Sequence, residues 1–192
     1  MILRFATVRD AESLAAIYAP IVESTAISFE TVAPDPDDMR SRIGNQPANK
    51  PWIVAEIDGS VAGYAYASAF RGRSAYRFGA EVGVYVAESA RRRGVGLTLY
   101  RGLLRLLTSQ GYRRAYAGIT LPNDGSIALH RAAGFTEFGT AHAAGFKFGA
   151  WHDVGFYECA LGPLDIPRHD PLDVDALPVP AVEAAFERSL RR

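Results

Sequence analysis

Cysteine is almost absent from the chain. Cys159 is alone among 192 residues, so no disulfide framework can form within it. It sits in the strand-like stretch 155–161, where a packed, inert thiol is expected. Neither sign of charge predominates: lysine plus arginine and aspartate plus glutamate each number 21. That balance argues against a general nucleic-acid binder, which carries a marked basic excess. No run of ~18 apolar residues is present, and the first residues lack a signal peptide's apolar core. No membrane partner is therefore expected, and cytoplasmic residence is. No metal-ligand spacing and no internal repeat is found.

What is present is ordinary for a globular protein: 48% hydrophobic and 22% charged residues, in a length suited to one domain with an appendage. Such a chain can bury a substantial core without disulfides or a metal. A strand pattern opens the sequence, and Asp10 is placed to cap a helix over 11–22 with Leu14, Ile17, Tyr18 and Ile21 on one face. Residues 34–38 start a second, polar helix that ends near Gly44. Strands over 52–57 and 61–70 flank Asp58-Gly59, a hairpin signal, and an arginine- and glycine-rich loop follows over 71–77. Residues 81–86 form another strand, then Val95, Leu99, Leu103 and Leu107 recur every four positions in a helix over 95–110, closed by Gly111. A strand over 114–120, a turn, a short helix over 126–133 ended by Gly134, and strands over 135–141 and 152–161 complete the order βααβββαβαββ.

After Gly162 the character changes. Five of the eleven prolines are Pro163, Pro167, Pro171, Pro178 and Pro180, too dense for a packed domain, and an amphipathic segment over 182–190 closes the chain. The expectation is a domain over 1–162 and an extended Pro-rich tail over 163–192, draped over the domain or a partner subunit and bearing a short terminal helix.

The central feature is a strand, a loop and a helix start. Amides in a helix's first turn have no internal partner, and the macrodipole places about half a positive charge there. Gly94 and Gly96 remove side chains in front of those amides, around Val95 and Leu97, while Arg91, Arg92 and Arg93 add positive charge. The arrangement suits a pyrophosphate. A Walker lysine with its Ser/Thr and the third glycine of a dinucleotide fingerprint are both missing, so nucleotide readings are weak. A charged loop before a core helix is the bland alternative.

Arg91-x-x-Gly94-x-Gly96 resembles the Q/R-x-x-G-x-G/A signature of the GCN5-related N-acetyltransferase superfamily. Segments 76–81, 84–86, 96–100, 121–124, 129–130, 133–135 and 144–154 occur in the order found in its phosphinothricin N-acetyltransferase and methionine sulfoximine/sulfone acetyltransferase branch, and the resemblance spans about residues 3–161. It implies an α/β (α+β) fold with a mixed, mostly antiparallel sheet of about seven strands flanked by helices. It also implies acetyl-CoA as co-substrate, no metal, and a homodimer.

Carried over residue by residue, the resemblance makes Glu81 the general base; an exposed strand glutamate is the alternative. An α-amine of pKa about 8 and an ordinary glutamate of about 4.3 leave direct proton abstraction uphill by roughly 5 kcal/mol, so burial or ordered water must help. Gly83 departs from the family's E-x-S-V-Y-V, removing a hydroxyl near the base. Val84, Tyr85 and Val86 are expected to offer backbone groups to the pantetheine arm as a pseudo-strand, with a nearby N–H polarising the thioester carbonyl. His130 stands where the branch places a proton donor for the thiolate; a buried structural histidine is the alternative. Asn123 resembles a pantetheine-contacting asparagine, or is an ordinary turn residue. Phe29, Tyr76 and Arg77 resemble the acceptor pocket, with Arg77 as carboxylate clamp or simply solvent-facing. Lys147, Trp151 and His152 fall in a loop that approaches the neighbouring subunit's site; His142 and His169 have no assigned role.

The implied activity is acetyl transfer to the α-amine of a small amino-acid analogue of the phosphinothricin, methionine sulfoximine or methionine sulfone type. A protein or peptide N-acetyltransferase and a catalytically silent acyl-CoA-binding module are the alternatives.

Overall fold

In the computed structural model, which describes residues 1–190, the periodicities become seven strands and five α-helices. In chain order these are β1 (Ile2–Phe5), α1 (Ala11–Ser24), α2 (Pro36–Gly44), β2 (Trp52–Ile57), β3 (Ser60–Ala69), β4 (Gly79–Val86), α3 (Val95–Gln110), β5 (Arg114–Thr120), α4 (Asp124–Ala132), β6 (Thr136–Lys147), β7 (Ala150–Ala160) and α5 (Val179–Leu190). The order expected from the sequence is present, with α5 added at its end.

The strands make one sheet in the order β1-β2-β3-β4-β5-β7-β6. Every neighbouring pair is antiparallel except β4 and β5, which run parallel. Alternation along the strands sends side chains to opposite faces. Ile53, Ala55, Ala65 and Val82 join the cluster under α3, whereas Val54, Tyr64, Tyr66 and Tyr85 pack with α1 and α2 on the other face. On α3, Val95, Leu99, Leu103 and Leu107 are at most 1% exposed. Burying each such side chain stabilises by roughly 1.5–3 kcal/mol, which makes α3 the main anchor of its layer.

The β4–β5 pairing is short. It joins only Gly79, Ala80 and Glu81 to Arg114, Ala115 and Tyr116. Beyond Glu81, β4 stays paired to β3 as far as Val86, and β5 stays paired to β7 as far as Thr120. The two strands therefore part company in mid-sheet, leaving a V with Glu81 at its apex.

Two local expectations change. Asp10 does not cap α1 with its side chain. It closes a capping box with Thr7, whose N–H donates to Asp10 Oδ2 at 2.8 Å, and Arg4 grips both its oxygens at 2.8 Å. The segment 142–151 is not a loop, because β6 and β7 continue through it as a hairpin. Phe148 (φ 53°) and Gly149 (φ 76°) are both left-handed, as a two-residue primed turn requires.

The Pro-rich segment folds back on the chain's own α3. Leu172 N–H donates to Gln110 O at 2.8 Å, and Gln110 Nε2 returns a bond to Leu172 O at 2.7 Å. Leu177 and Ala185 are buried, and Phe186 meets Phe5 edge-on with ring centres 5.3 Å apart. Cys159 is buried and unpaired, and burial raises its thiol above the ordinary pKa. Among the described residues no helix is long and apolar enough to cross a membrane.

Candidate active site

The turn between β4 and α3 is built on two left-handed residues, Arg92 (φ 59°) and Gly94 (φ 79°). The first bond of the α3 ladder runs from Thr98 N–H to Gly94 O at 3.0 Å, so the amides of Val95, Gly96 and Leu97 lie ahead of it. Nothing stands within 4 Å of where a Cβ on Gly94 would be. Gly94 is thus demanded by its backbone angle and leaves open space before the amides. Gly96 has a different reason: its Cβ would lie 3.0 Å from Leu129 Cδ2 and 3.5 Å from Val86 Cγ2. It lets α3 approach α4 and β4 rather than clearing room for an anion. All three arginines are exposed, but only Arg91 and Arg92 face the cleft; Arg93 lies off it.

That cleft, of about 740 Å³, runs from the turn along Val84–Val86 and is walled by Ile21 and Thr25 from the end of α1 and by Leu129 from α4. Its β4 wall is the edge that faces away from β3 and has left β5, so its backbone groups belong to no ladder there. Asn123 also lines the cleft, while its Oδ1 accepts from Ser126 N–H at 3.1 Å to cap α4. Asn123 is therefore a helix cap that also borders the cleft. An elongated molecule with a diphosphate at one end and an amide-bearing arm at the other fits this shape and these donors.

From the cleft a narrow space of about 60 Å³ passes through the V, between Val82–Tyr85 and Gly118–Thr120. A second cavity of about 520 Å³ lies beyond, bounded by Phe29, Tyr18, Tyr66, Glu81 and Thr120. Ile27 and Tyr85 wall all three spaces.

Glu81 is an exposed residue of β4 that opens on this second cavity, with the flanking strands packed about its inner side. Burial raises its carboxyl above the ordinary value, and the Arg71 guanidinium pulls part of the way back. Directly across the β3–β4 ladder, Tyr66 pairs with Gly83. A Cβ on Gly83 would meet Tyr66 Cε1 at 2.7 Å, so the residue that departs from the family's serine is dictated by its cross-strand neighbour.

His130 is buried beside the narrow passage. Its Nδ1 lies 2.7 Å from Ser126 O, and its Nε2 lies 2.8 Å from Tyr100 Oη. A carbonyl only accepts, so Nδ1 carries the proton and Nε2 accepts from the Tyr100 hydroxyl. Both nitrogens are engaged. Burial also lowers the pKa, which keeps the ring neutral.

Of the expected acceptor residues, Phe29 faces the cavity. It is held there because Gly145 in the β6–β7 hairpin leaves room for its ring. Lys147 secures the same loop from behind, its buried Nζ donating to Val22 O at 2.6 Å and Ser28 O at 2.7 Å. Tyr76 and Arg77 lie outside the lining. The Arg77 guanidinium pairs with Asp170 of the returning tail at 2.5 Å and covers the Phe78 ring. The cation whose field reaches Glu81 is Arg71, stacked on Phe70 at 5.1 Å. Sequence reasoning overlooked Arg71 and the hydroxyls of Tyr18, Tyr66, Tyr85 and Ser28. The alternation of β3 and β4 held a signal for the last two tyrosines, since Glu81, Gly83 and Tyr85 share one face.

The profile of the Acetyltransferase (GNAT) family matches residues 18–135. A phosphinothricin N-acetyltransferase of Streptomyces viridochromogenes is 40% identical over 156 residues, covering 81% of this chain and 85% of that protein. A phosphinothricin acetyltransferase from Sinorhizobium meliloti, solved with acetyl-CoA, superposes with a TM-score of 0.84 at 38% identity, over 91% of this chain and 96% of that one. A ribosomal-protein-alanine N-acetyltransferase from Brucella melitensis superposes with a TM-score of 0.81 at 37% identity, over 83% and 99% of the two chains.

Proposed function

The chain belongs to the GNAT acetyltransferase family, as an acetyl-CoA-dependent enzyme of its phosphinothricin and methionine sulfoximine/sulfone acetyltransferase-like branch, and from that premise we propose that it acetylates the α-amine of a small amino-acid analogue. The observation that carries this reading is the placement of Glu81 at the apex of the V, between the cleft and a separate side cavity. When bound, acetyl-CoA supplies an acetyl group activated as a thioester.

In this reading the amides of Val95, Gly96 and Leu97 hold the diphosphate, with Arg91 and Arg92 beside them, and the freed edge of Val84–Val86 receives the pantetheine arm. A β4 N–H faces the carbonyl that gains negative charge, and because it is fixed in place its alignment costs nothing during reaction. Glu81 takes a proton from the acceptor's ammonium. Its raised pKa narrows the gap to the amine and makes it a stronger partner in that exchange. Arg71, which like Arg77 lies outside the cavity lining but whose charge reaches Glu81 and is not drawn off by Asp170, is assigned to the acceptor's carboxylate. His130 is assigned to positioning, since a neutral imidazole whose N–H is spent on Ser126 is a poor acid; it ties α4 to Tyr100 of α3 beside the passage.

We place the enzyme in the cytoplasm as a homodimer. Support for the dimer comes from the β6–β7 hairpin beside the acceptor cavity, where Phe146, Phe148 and Trp151 are 59–67% exposed and form an apolar tip that a second copy could cover.

The Brucella neighbour's named activity favours a second reading, acetylation of a peptide N-terminus. Thiol release from acetyl-CoA separates the two when phosphinothricin, methionine sulfoximine, methionine sulfone, common amino acids and short peptides are compared. Turnover is expected with the analogues. Turnover confined to peptides would transfer the site to the second reading, and binding without any turnover would make the chain a silent acyl-CoA module.

A further inference from the structure

The segment after Gly162 is pinned to the domain twice. Asp165 Oδ1 accepts from Arg113 Nη2 at 2.8 Å, and Asp170 Oδ1 accepts from Arg77 Nε at 2.5 Å. The two bridges hold residues 165–170 as a strap beside the C-terminal end of α3. Between strap and helix end lies a cavity of about 250 Å³, walled by the last turn of α3, by Arg113, and by Asp165, Arg168 and His169. It opens about 24 Å along α3 from the glycine turn, since the helix has 16 residues and each rises about 1.5 Å. Its strap residues also lie beyond the stretch 18–135 that matches the family profile. The cavity is therefore separate from the acetyl-transfer site.

Charge in this cavity is unbalanced. Two guanidinium groups and an imidazole face one carboxylate, Asp165, which is already given to Arg113. Arg113 is fixed by a further bond from Nη1 to Gly111 O at 3.2 Å, yet its buried Nε has no partner. Arg168 is exposed at the mouth, and among the described residues its guanidinium has no hydrogen-bond or ion-pair partner. His169 lies against the helix end, its Cε1 3.4 Å from where a Cβ on Gly111 would be. Its Nδ1 is 2.8 Å from Asp170 O; a carbonyl only accepts, so Nδ1 carries a proton and Nε2 is left over. The Ser109 hydroxyl adds a donor at the rim.

A helix's C-terminal end ordinarily repels anions, because its last carbonyls carry the negative pole. Here those carbonyls are occupied. Leu107 O accepts from Tyr112 N–H at 3.0 Å, Thr108 O from Gly111 N–H at 3.1 Å, and Gln110 O from Leu172 N–H at 2.8 Å. What faces the cavity is then mainly donors, and planar guanidinium forks match the oxygens of a phosphate. Its volume is below the ~300–1,000 Å³ of pockets that take larger organic ligands, so a compact ion suits it better than a nucleotide.

We propose that this cavity is a second anion site, which takes a small oxyanion of two or more charges, of the phosphate class, between Arg113 and Arg168 and so bridges the strap to the end of α3. Such a ligand binds only the folded chain and raises its melting temperature.

The test is calorimetry and melting of the full chain with inorganic phosphate, with glycerol phosphate, and with chloride at matched ionic strength, all in saturating coenzyme A so that the glycine turn is occupied. Phosphate at ten times its Kd is expected to raise the melting temperature by about 3–6 °C beyond chloride. Arg168→Gln removes an exposed, unpaired group, so it should fold as the natural chain does; it should weaken phosphate binding at least about tenfold and leave coenzyme A affinity unchanged. Arg168→Lys keeps the charge but loses the fork, and should fall between the two. A response to glycerol phosphate matching that to phosphate would support the phosphoryl group of a metabolite as the ligand; a response to inorganic phosphate alone would support the free ion. A shift no larger than chloride's, or phosphate affinity unaltered in folded Arg168→Gln, would overturn the site and leave the acetyl-transfer reading untouched.

Discussion

Replacing Glu81 by glutamine should move activity and stability in opposite directions. The carboxyl sits where two strands part, exposed on its cavity side, and the partial burial on its inner side raises its pKa, with Arg71 opposing. At ordinary values the amine-to-glutamate proton transfer is uphill by roughly 5 kcal/mol, and each pKa unit by which burial lifts the glutamate recovers about 1.4 kcal/mol, a tenfold gain in rate. Glutamine cannot accept the proton, so turnover should fall by about 10²–10⁴, the usual contribution of a general base. Affinity for acetyl-CoA should be unchanged. The acidic limb of the kcat/KM profile, expected above the ordinary glutamate range, should vanish. For stability the sign is reversed. A carboxyl whose folded pKa exceeds its unfolded value binds its proton more tightly in the fold, so stability falls as pH rises from the ordinary glutamate value through the folded one. Glutamine carries no such penalty, and the variant should melt higher at neutral pH, with the difference closing in acid. Thiol release and calorimetric melting read the two effects. Undiminished turnover would refute the role given to Glu81, and a variant that melts lower at neutral pH would refute the account of its electrostatics.

Gly94→Asp places a carboxylate in the open space before the α3 amides, in a left-handed conformation that aspartate tolerates; calorimetry should find acetyl-CoA bound at least about tenfold more weakly, and equal affinity would contradict the diphosphate assignment. His130→Phe removes two hydrogen bonds and strands the Tyr100 hydroxyl, at a cost of about 1–3 kcal/mol, so melting should fall by several degrees. The alkaline limb of its pH–rate profile should stay in place; a limb that disappears would restore His130 as the proton donor. Cutting the chain after Gly162 uncovers the surface under Leu177 and Phe186. At roughly 1.5–3 kcal/mol per apolar side chain, the shortened domain should melt more than about 5 °C lower, and an unchanged melting curve would show the tail to be independent of the core.

How much of this was legible in the sequence depended on how local each cause was. The helix over Val95–Gln110, its closing Gly111 and the glycine-flanked turn before it follow from spacing within a few residues, and they stand where expected. The V was not readable, because it arises where β4 keeps one partner and β5 another, a matter of long-range pairing. Gly83 was visible as a departure, but its reason is the Tyr66 ring on a different strand. Arg71 and Arg77 share one loop, and nothing near them tells which one's charge reaches Glu81. Asp170, far along the tail, draws Arg77 away. The His130 contact to Ser126 has the helical i, i+4 spacing and was open to inspection, whereas the Tyr100 contact was hidden in another helix. The segment 142–151, expected as a loop from the resemblance, is hairpin instead: Gly149 serves its turn and Gly145 makes room for Phe29.

A crystal structure of the chain with coenzyme A would test the central claim most directly. The diphosphate should lie against the amides of Val95, Gly96 and Leu97, and the thiol should enter the passage between β4 and β5 towards Glu81. A diphosphate bound elsewhere, or a thiol directed away from that opening, would contradict the account.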